Sequence, residues 1–165
     1  MRLSTFIVPV ASILGLACAQ IGAINTAIAD IRSDVDAVKN AFNAGTAAGI
    51  TSSITELDDS ISAATTVVTN SPAVGLLDAL SLASAIGGLQ TSIDQAFTVV
   101  KAKRTAIDAL GLTGAVRTSL IGQKSAVDVL GGKVISKVPS IVQGTAKSFV
   151  AQLDASYAAA IAAYS

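Results

Sequence analysis

The sequence predicts an all-α protein, an up-and-down bundle of five to six helices that follows a cleaved signal peptide. Apolar residues recur at alternating gaps of three and four positions, which is the period of one face of an α-helix. Alanine fills 31 of the 165 positions and only six residues are aromatic, a composition that favours helices packed through small side chains. No hairpin signal interrupts these stripes, so we expect one helical domain over residues 20–165.

Residues 1–19 have the features of a secretory signal peptide. Arg2 supplies a positive charge, a predominantly apolar run follows over residues 3–16, and Ala17 and Ala19 put small residues where signal peptidase requires them. We therefore expect cleavage before Gln20 and release of the product from the cell.

Two other interpretations of this segment are less favoured. A transmembrane anchor would have to extend over the uncharged stretch to Ala29, but polar residues and Pro9 interrupt that stretch. A lipidated Cys18 would require a large aliphatic residue three positions earlier, where the chain has Gly15.

The first two stripes predict the first two helices. One helix of about six turns is expected from Ile21 to Phe42, and residues 43–49 interrupt the pattern. A second helix is expected from Ile50 to a stop near Asn70-Ser71-Pro72. The apolar stripes consist of Ile21, Ile24, Ile28, Ile31, Val35, Val38 and Phe42 in the first helix, and of Ile50, Ile54, Leu57, Ile61, Ala64 and Val68 in the second.

A third segment begins around residues 74–77 and carries Leu80 and Ile86. We expect a kink or break at Gly87-Gly88, because each glycine weakens a helix by about 1 kcal/mol relative to alanine. The stripe then continues to Gly111, an expected C-terminal cap, through Leu89, Ile93, Phe97, Val100, Ile107 and Leu110.

Two further helices complete the predicted bundle. Thr113 is an expected N-cap of the first, and Pro139 is expected to end that helix and to open the last one. Their inward faces consist of Val116, Leu120, Gln123, Val127, Leu130 and Val134, and then of Val142, Ala146, Phe149, Leu153, Tyr157 and Ala160.

The composition of the chain argues against most kinds of catalytic, metal and nucleic-acid site. The 11 basic residues equal the 11 acidic ones, so no basic excess favours nucleic acid or an anionic membrane. Histidine is absent and the single cysteine lies in the signal, so a general base, a thiol nucleophile and the usual transition-metal ligands are missing. The neighbouring carboxylates Asp58 and Asp59 fit a solvated helix face. We expect no enzyme, no cofactor and no metal site.

Four segments carry a resemblance to a known family. They are Ile24-(x3)-Ile28-(x)-Asp30-Ile31-(x3)-Val35, residues 101–111 (KAKRTAIDALG), residues 120–130 (LIGQKSAVDVL) and residues 134–139 (VISKVP). In this order and spacing the chain resembles the fungal hydrophobic surface binding protein A family, which includes cell wall galactomannoproteins. The resemblance implies a secreted or wall-associated, non-enzymatic helical bundle that adsorbs to hydrophobic surfaces, with some members enclosing a fatty acid in an apolar tunnel.

The family's wall-anchored members commonly end in a Ser/Thr-rich stalk and a GPI signal. Neither follows the last predicted helix here, so we expect a freely secreted member without a transmembrane anchor. The expected partners are a hydrophobic surface or a fatty acid-like lipid, together with cell wall components or secreted hydrolases.

Residues at the middles of the helices are the predicted ligand face, because a tunnel would run there. These are Ile28, Ile31, Val35, Ile54, Leu57, Ile61, Phe97, Val100, Leu120, Val127, Phe149 and Leu153. The predicted partners of a ligand carboxylate near the tunnel mouth are Lys101, Lys103, Arg104 and Lys124.

Three alternatives remain open on the sequence alone. The bundle could bind lipid inside, it could open at an oily interface and turn its stripes outward, or it could be a structural or antigenic cell wall mannoprotein with a solid core.

Overall fold

The computed structural model describes the backbone of residues 11–165 and the side chains of residues 21–165. Within this part of the chain all regular structure is helical, which confirms the predicted all-α bundle. The helices are α1 (Ala11–Ala44), α2 (Ala47–Asn70), α3 (Leu76–Ala102), α4 (Arg104–Ala109), α5 (Thr113–Lys137) and α6 (Ser140–Ala163). The first ten residues of the expected signal peptide lie outside the described residues, so its cleavage stays a prediction.

The five long helices form a closed ring. Helix α1 packs between α2 and α3, α2 also packs on α5, α5 on α6, and α6 returns to α3. Helix α3 therefore does not follow α2 around the ring but lies on the other side of α1. The apolar stripes all face the centre of this ring, where they form the hydrophobic core.

The two ends of the bundle differ. One end, which we call the α4 end, holds the α1–α2 turn, the short helix α4 and the last residues of α6. The other, which we call the proline end, holds the connection through Pro72 and the connection at Pro139. The Val74 amide donates to the Lys137 carbonyl over 2.8 Å, which ties these two connections together.

Two glycines end helices in the left-handed conformation. Gly45 and Gly111 both have φ +70°, which a residue without Cβ adopts at little cost. The Leu112 amide donates to the Ile107 carbonyl over 3.1 Å. The expected cap at Gly111 is therefore confirmed, although it ends α4 rather than a long helix.

The break expected at Gly87-Gly88 and the N-cap expected at Thr113 are wrong. Helix α3 continues without a break through Gly87 and Gly88, because the packing of its flanking turns outweighs the low helix propensity of glycine. Gly88 also leaves room for α1, since a Cβ there would lie 3.3 Å from the Arg32 guanidinium. Thr113 is the first residue of α5 rather than its N-cap, and its hydroxyl donates to Asp108 over 2.9 Å.

Helix α3 is the one helix in the described part of the chain with the length and composition of a membrane span, which is weak evidence by itself. Its buried residues, such as Leu82, Leu89 and Ile93, face the ring interior. It is thus an integral wall of the bundle.

Candidate functional site

The geometry of a five-membered ring leaves space at its centre. Helices pack about 8–10 Å apart, which places each axis of a regular five-membered ring about 7–8.5 Å from the centre. A helix with its side chains has a radius of about 5–6 Å. A narrow central channel therefore remains unless large side chains fill it, and the interior-facing residues here are mostly Ile, Val, Leu and Ala.

One space, which we call the central chamber, lies half-way along the ring. The cavity that could hold water-sized molecules measures about 70 Å³, and the space between its atoms amounts to about 800 Å³ when narrow gaps and open solvent are counted. All five long helices contribute to it. Its apolar wall includes Ile28, Ile31, Ile61, Leu89, Val127, Phe149 and Leu153.

A second space, the α4-end chamber, adjoins the central chamber. It measures about 420 Å³ by the same criterion and is lined by residues that include Phe42, Val100 and Leu120. Four residues line both chambers and mark where they meet: Val35, Leu57, Ile93 and Tyr157. Ser119 and Gln123 add polar groups to this otherwise apolar wall.

A third space, the proline-end chamber, continues the interior in the opposite direction. It measures about 430 Å³ and shares Ile86, Val134, Ala146 and Phe149 with the central chamber. Leu80 and Thr145 line this chamber and are also exposed to solvent. The interior therefore opens to solvent between α3 and α6 at the proline end.

The polar groups of the α4-end chamber are held in place by their neighbours. Gln123 is buried, and its amide donates to Asp58 over 2.8 Å. Partial burial raises the pKa of the Asp58 carboxyl, against the lowering effect of the Gln123 hydrogen bond. Burial raises the pKa of Tyr157 above its ordinary value. Its ring packs edge-on against Phe97 with centroids 4.7 Å apart.

All twelve residues of the predicted ligand face line one or more of the three chambers. In the α4-end chamber are Val35, Ile54, Leu57, Phe97, Val100 and Leu120, and in the central chamber are Ile28, Ile31, Val35, Leu57, Ile61, Val127, Phe149 and Leu153. Phe149 also lines the proline-end chamber. The structure thus brings the predicted set together around one interior.

The four predicted head-group residues lie elsewhere. Lys101 and Arg104 are exposed near the α4 end, and Lys103 occupies the turn between α3 and α4. Lys124 is half-buried on α5, where it pairs with Asp128 and with Asp154. None of the four lines the three chambers.

Several chamber residues are not in the predicted set. Gln123 is the clearest, and its position in the otherwise apolar stripe of α5 was a signal of a polar site inside the ring. The small residues Gly131 and Ala146 gave no such signal, because their contribution is the space they leave. Among residues 21–165, no group of three or more acidic, histidine or cysteine side chains could hold a metal ion.

The family model described as "Hydrophobic surface binding protein A" matches residues 21–136. The chain belongs to the hydrophobic surface binding protein A family. The matched residues of this family span α1 beyond its first ten positions, α2, α3, α4 and nearly all of α5. They therefore include most of the residues that line the chambers.

A curated relative agrees with membership of the hydrophobic surface binding protein A family. The chain is 28% identical over 137 residues to "Cell wall mannoprotein 1" of Aspergillus flavus, which covers 83% of this chain and 50% of the relative. The chain thus spans half the length of that relative.

Solved structures share the fold of this family member. Ligand binding domain 1 of the Penicillium marneffei MP1 protein, complexed with arachidonic acids, aligns with a TM-score of 0.85 and 21% identity, covering 88% of this chain and 99% of that domain. AFMP4P in complex with palmitic acid aligns with a TM-score of 0.84 and 23% identity, covering 88% and 99%. At these identities the likeness establishes the fold.

Proposed function

We propose that this protein is a secreted, non-enzymatic binding protein that encloses the acyl chain of a fatty acid-like lipid inside its helix ring. The observation that carries the proposal is the row of three adjacent chambers that share wall residues and have an almost entirely hydrocarbon wall. Relatives of the same fold have been solved with arachidonic acids and with palmitic acid, which supports this ligand class. The cell wall mannoprotein relative supports an extracellular location.

The energetics are adequate for this function. Burial of about 14 methylenes at about 0.8 kcal/mol each gives a gross gain near 11 kcal/mol. The loss of translational and chain freedom costs at least about 4 kcal/mol. The balance of at most about 7 kcal/mol allows a dissociation constant of about 10 μM, provided that the ring need not be rebuilt.

Entry of an acyl chain requires side chains of the protein to move, because the free space inside the ring is divided into narrow gaps. The central-chamber walls contributed by α1 and α2 are buried, as at Ile28 and Ile61. Those contributed by α5 and α6 are only half-buried at Val127, Phe149 and Val150. We infer that the α5–α6 side yields to the ligand while the α1–α2 side stays fixed.

The ligand carboxyl group has two classes of possible partner. Inside the α4-end chamber it would meet the Gln123 amide and the Ser119 hydroxyl. At the outer surface of the α4 end it would meet Lys101, Lys103 or Arg104. Lys124 is already paired with two carboxylates, which makes it the weakest of the four predicted head-group residues.

Native mass spectrometry of the secreted protein, followed by organic extraction, tests the proposed function. We expect an acyl ligand in stoichiometric amount, or its uptake when palmitic acid is added to the delipidated protein. A protein that is empty and takes up no palmitic acid would overturn the proposal and would favour a structural wall role. The measured mass also reports whether the chain begins at Gln20.

A further inference from the structure

Large apolar side chains gather at the open end of the interior. Leu76, Leu77 and Leu80 stand exposed in the first turns of α3, and Ile141 stands exposed in the first turn of α6. Leu77 is 82% exposed and Ile141 is 79% exposed. We call these four residues the apolar rim.

The apolar rim continues the wall of the proline-end chamber. Leu80 lines that chamber while 57% of its surface is exposed. Leu76 and Leu77 precede Leu80 by four and three positions, which makes them its neighbours on the helix surface. Ile141 precedes Thr145, another chamber residue, by four positions on α6. The same apolar surface therefore runs from the rim into the interior.

The surroundings of the apolar rim carry little charge. Asp78 is the one charged residue in positions 72–81, and positions 138–146 contain none. In the most apolar stretch of α3 only 28% of the residues are buried. An exposed apolar surface with so little charge fits a neutral lipid layer, whereas a basic surface would be required for an anionic one.

We propose that the apolar rim docks on a neutral lipid layer and that acyl chains pass directly between this layer and the proline-end chamber. The passage of acyl chains rests on the proposed function, whereas the docking does not. When the rim is docked, the opening of the proline-end chamber faces the lipid layer. The acyl chain then moves from one apolar environment to another without crossing water.

The test compares two double variants with the wild type. Leu77→Ser with Ile141→Ser removes the two most exposed rim residues, neither of which lines a chamber. The matched control, Ile121→Ser with Val129→Ser, changes two exposed residues on the outer face of α5 that lie away from the rim. Circular dichroism and thermal unfolding confirm that both variants fold.

Docking is measured with the delipidated protein and vesicles of phosphatidylcholine. We expect the rim variant to bind these vesicles at least about tenfold more weakly than the wild type, because the two lost side chains together account for at least that factor. The control should bind like the wild type. Equal binding by all three proteins, or an equal loss in both variants, would overturn the docking proposal.

Passage is measured with a fluorescent polyene fatty acid loaded into the protein. We expect its transfer rate to rise with vesicle concentration for the wild type and the control, and to be slower and independent of vesicle concentration for the rim variant. Equilibrium affinity for the fatty acid without vesicles should be unchanged in all three proteins.

If no fatty acid binds at all, the proposed function fails while the docking result still stands. A wild-type dimer that the rim variant abolishes would instead identify the rim as a contact between two copies and overturn the proposal.

Discussion

Gly131 on α5 lies directly against Val150 on α6: a Cβ atom at position 131 would come within 2.5 Å of Val150 Cγ2. Both residues line the central chamber, so the missing side chain sets how closely α5 and α6 approach beside it. The valine cannot easily yield, because its β-branched side chain has few alternative rotamers.

We expect Gly131→Ala to destabilise the protein by about 1–2 kcal/mol, because the strain of overpacking exceeds the gain in helix propensity. Gly132→Ala is the matched control. A Cβ at position 132 meets no atom within 4 Å, so this substitution should stabilise by about 0.5–1 kcal/mol. Urea unfolding of both variants measures the difference, and a stabilised Gly131→Ala variant would contradict the close packing.

Replacing Ile61 with tryptophan should fill the central chamber and lower the affinity for palmitic acid by at least tenfold. The larger ring occupies space that the acyl chain needs, and overpacking costs about 1–3 kcal/mol of stability. Val100→Trp should do the same in the α4-end chamber. Val129→Trp, on the outer face of α5, serves as the control. Titration with palmitic acid measures the effect, and unchanged affinity in both chamber variants would exclude an internal site.

The contribution of Asp58 to stability should fall as the pH rises from about 4 toward neutrality. Burial raises the pKa of this carboxyl in the folded protein, so the folded state binds the proton more tightly than the unfolded state. The resulting stabilisation is fully present below the unfolded pKa and is lost above the folded one. Asp58→Asn should flatten this part of the curve of unfolding free energy against pH. An unchanged slope in the variant would assign the effect to other groups.

The two tyrosines should resist ionisation until the protein unfolds. Burial raises the pKa of Tyr164 to about 12, and the pKa of Tyr157 is raised as well. Because these are the only tyrosines in the sequence, absorbance of tyrosinate reports on them alone. We expect no titration near pH 10 in the folded state, normal titration near pH 10 in urea, and declining stability above pH 10. Normal titration under native conditions would contradict the buried placement.

A tyrosine hydrogen bond at the α4 end should contribute measurably to stability. The Tyr164 hydroxyl donates to the Val100 carbonyl over 2.6 Å in a buried setting. Tyr164→Phe leaves that carbonyl without this donor and should cost about 1–2 kcal/mol. Thermal unfolding measures the loss, and ligand affinity should change little because Tyr164 lines none of the three chambers.

The inward faces of the helices were predictable, because apolar residues that recur at helical spacing lie on the face of the helix that is removed from water. Ile28, Leu57 and Leu153 follow this rule, and the rule is the same for a solid core and for a hollow one. The space between them was not predictable, since it depends on how many helices surround the axis and on the approach distances at positions such as Gly131.

The sequence also did not predict which helices pack against each other. A stripe indicates which face is buried but not what covers it, so the position of α3 beside α1 and α6 had no local signal. The cationic residues Lys101, Lys103 and Arg104 illustrate a related limit. They are adjacent in sequence, but the turn at Lys103 directs this segment to the outside of the α4 end. Their role toward a ligand stays a prediction.

The order of helices around the ring has a consequence for folding. Helices α3, α1, α2 and α5 form an open row, and α6 supplies both contacts that close it. Part of that closure is polar, since Ser156 on α6 donates to Asp94 on α3 over 2.8 Å, across a separation of 62 residues. The entropy cost of joining such distant segments is met only when the last helix is in place. A nascent chain that still lacks α6 would expose four apolar stripes in an open row, so the 24 residues of α6 convert an intermediate with exposed apolar surface into a closed ring.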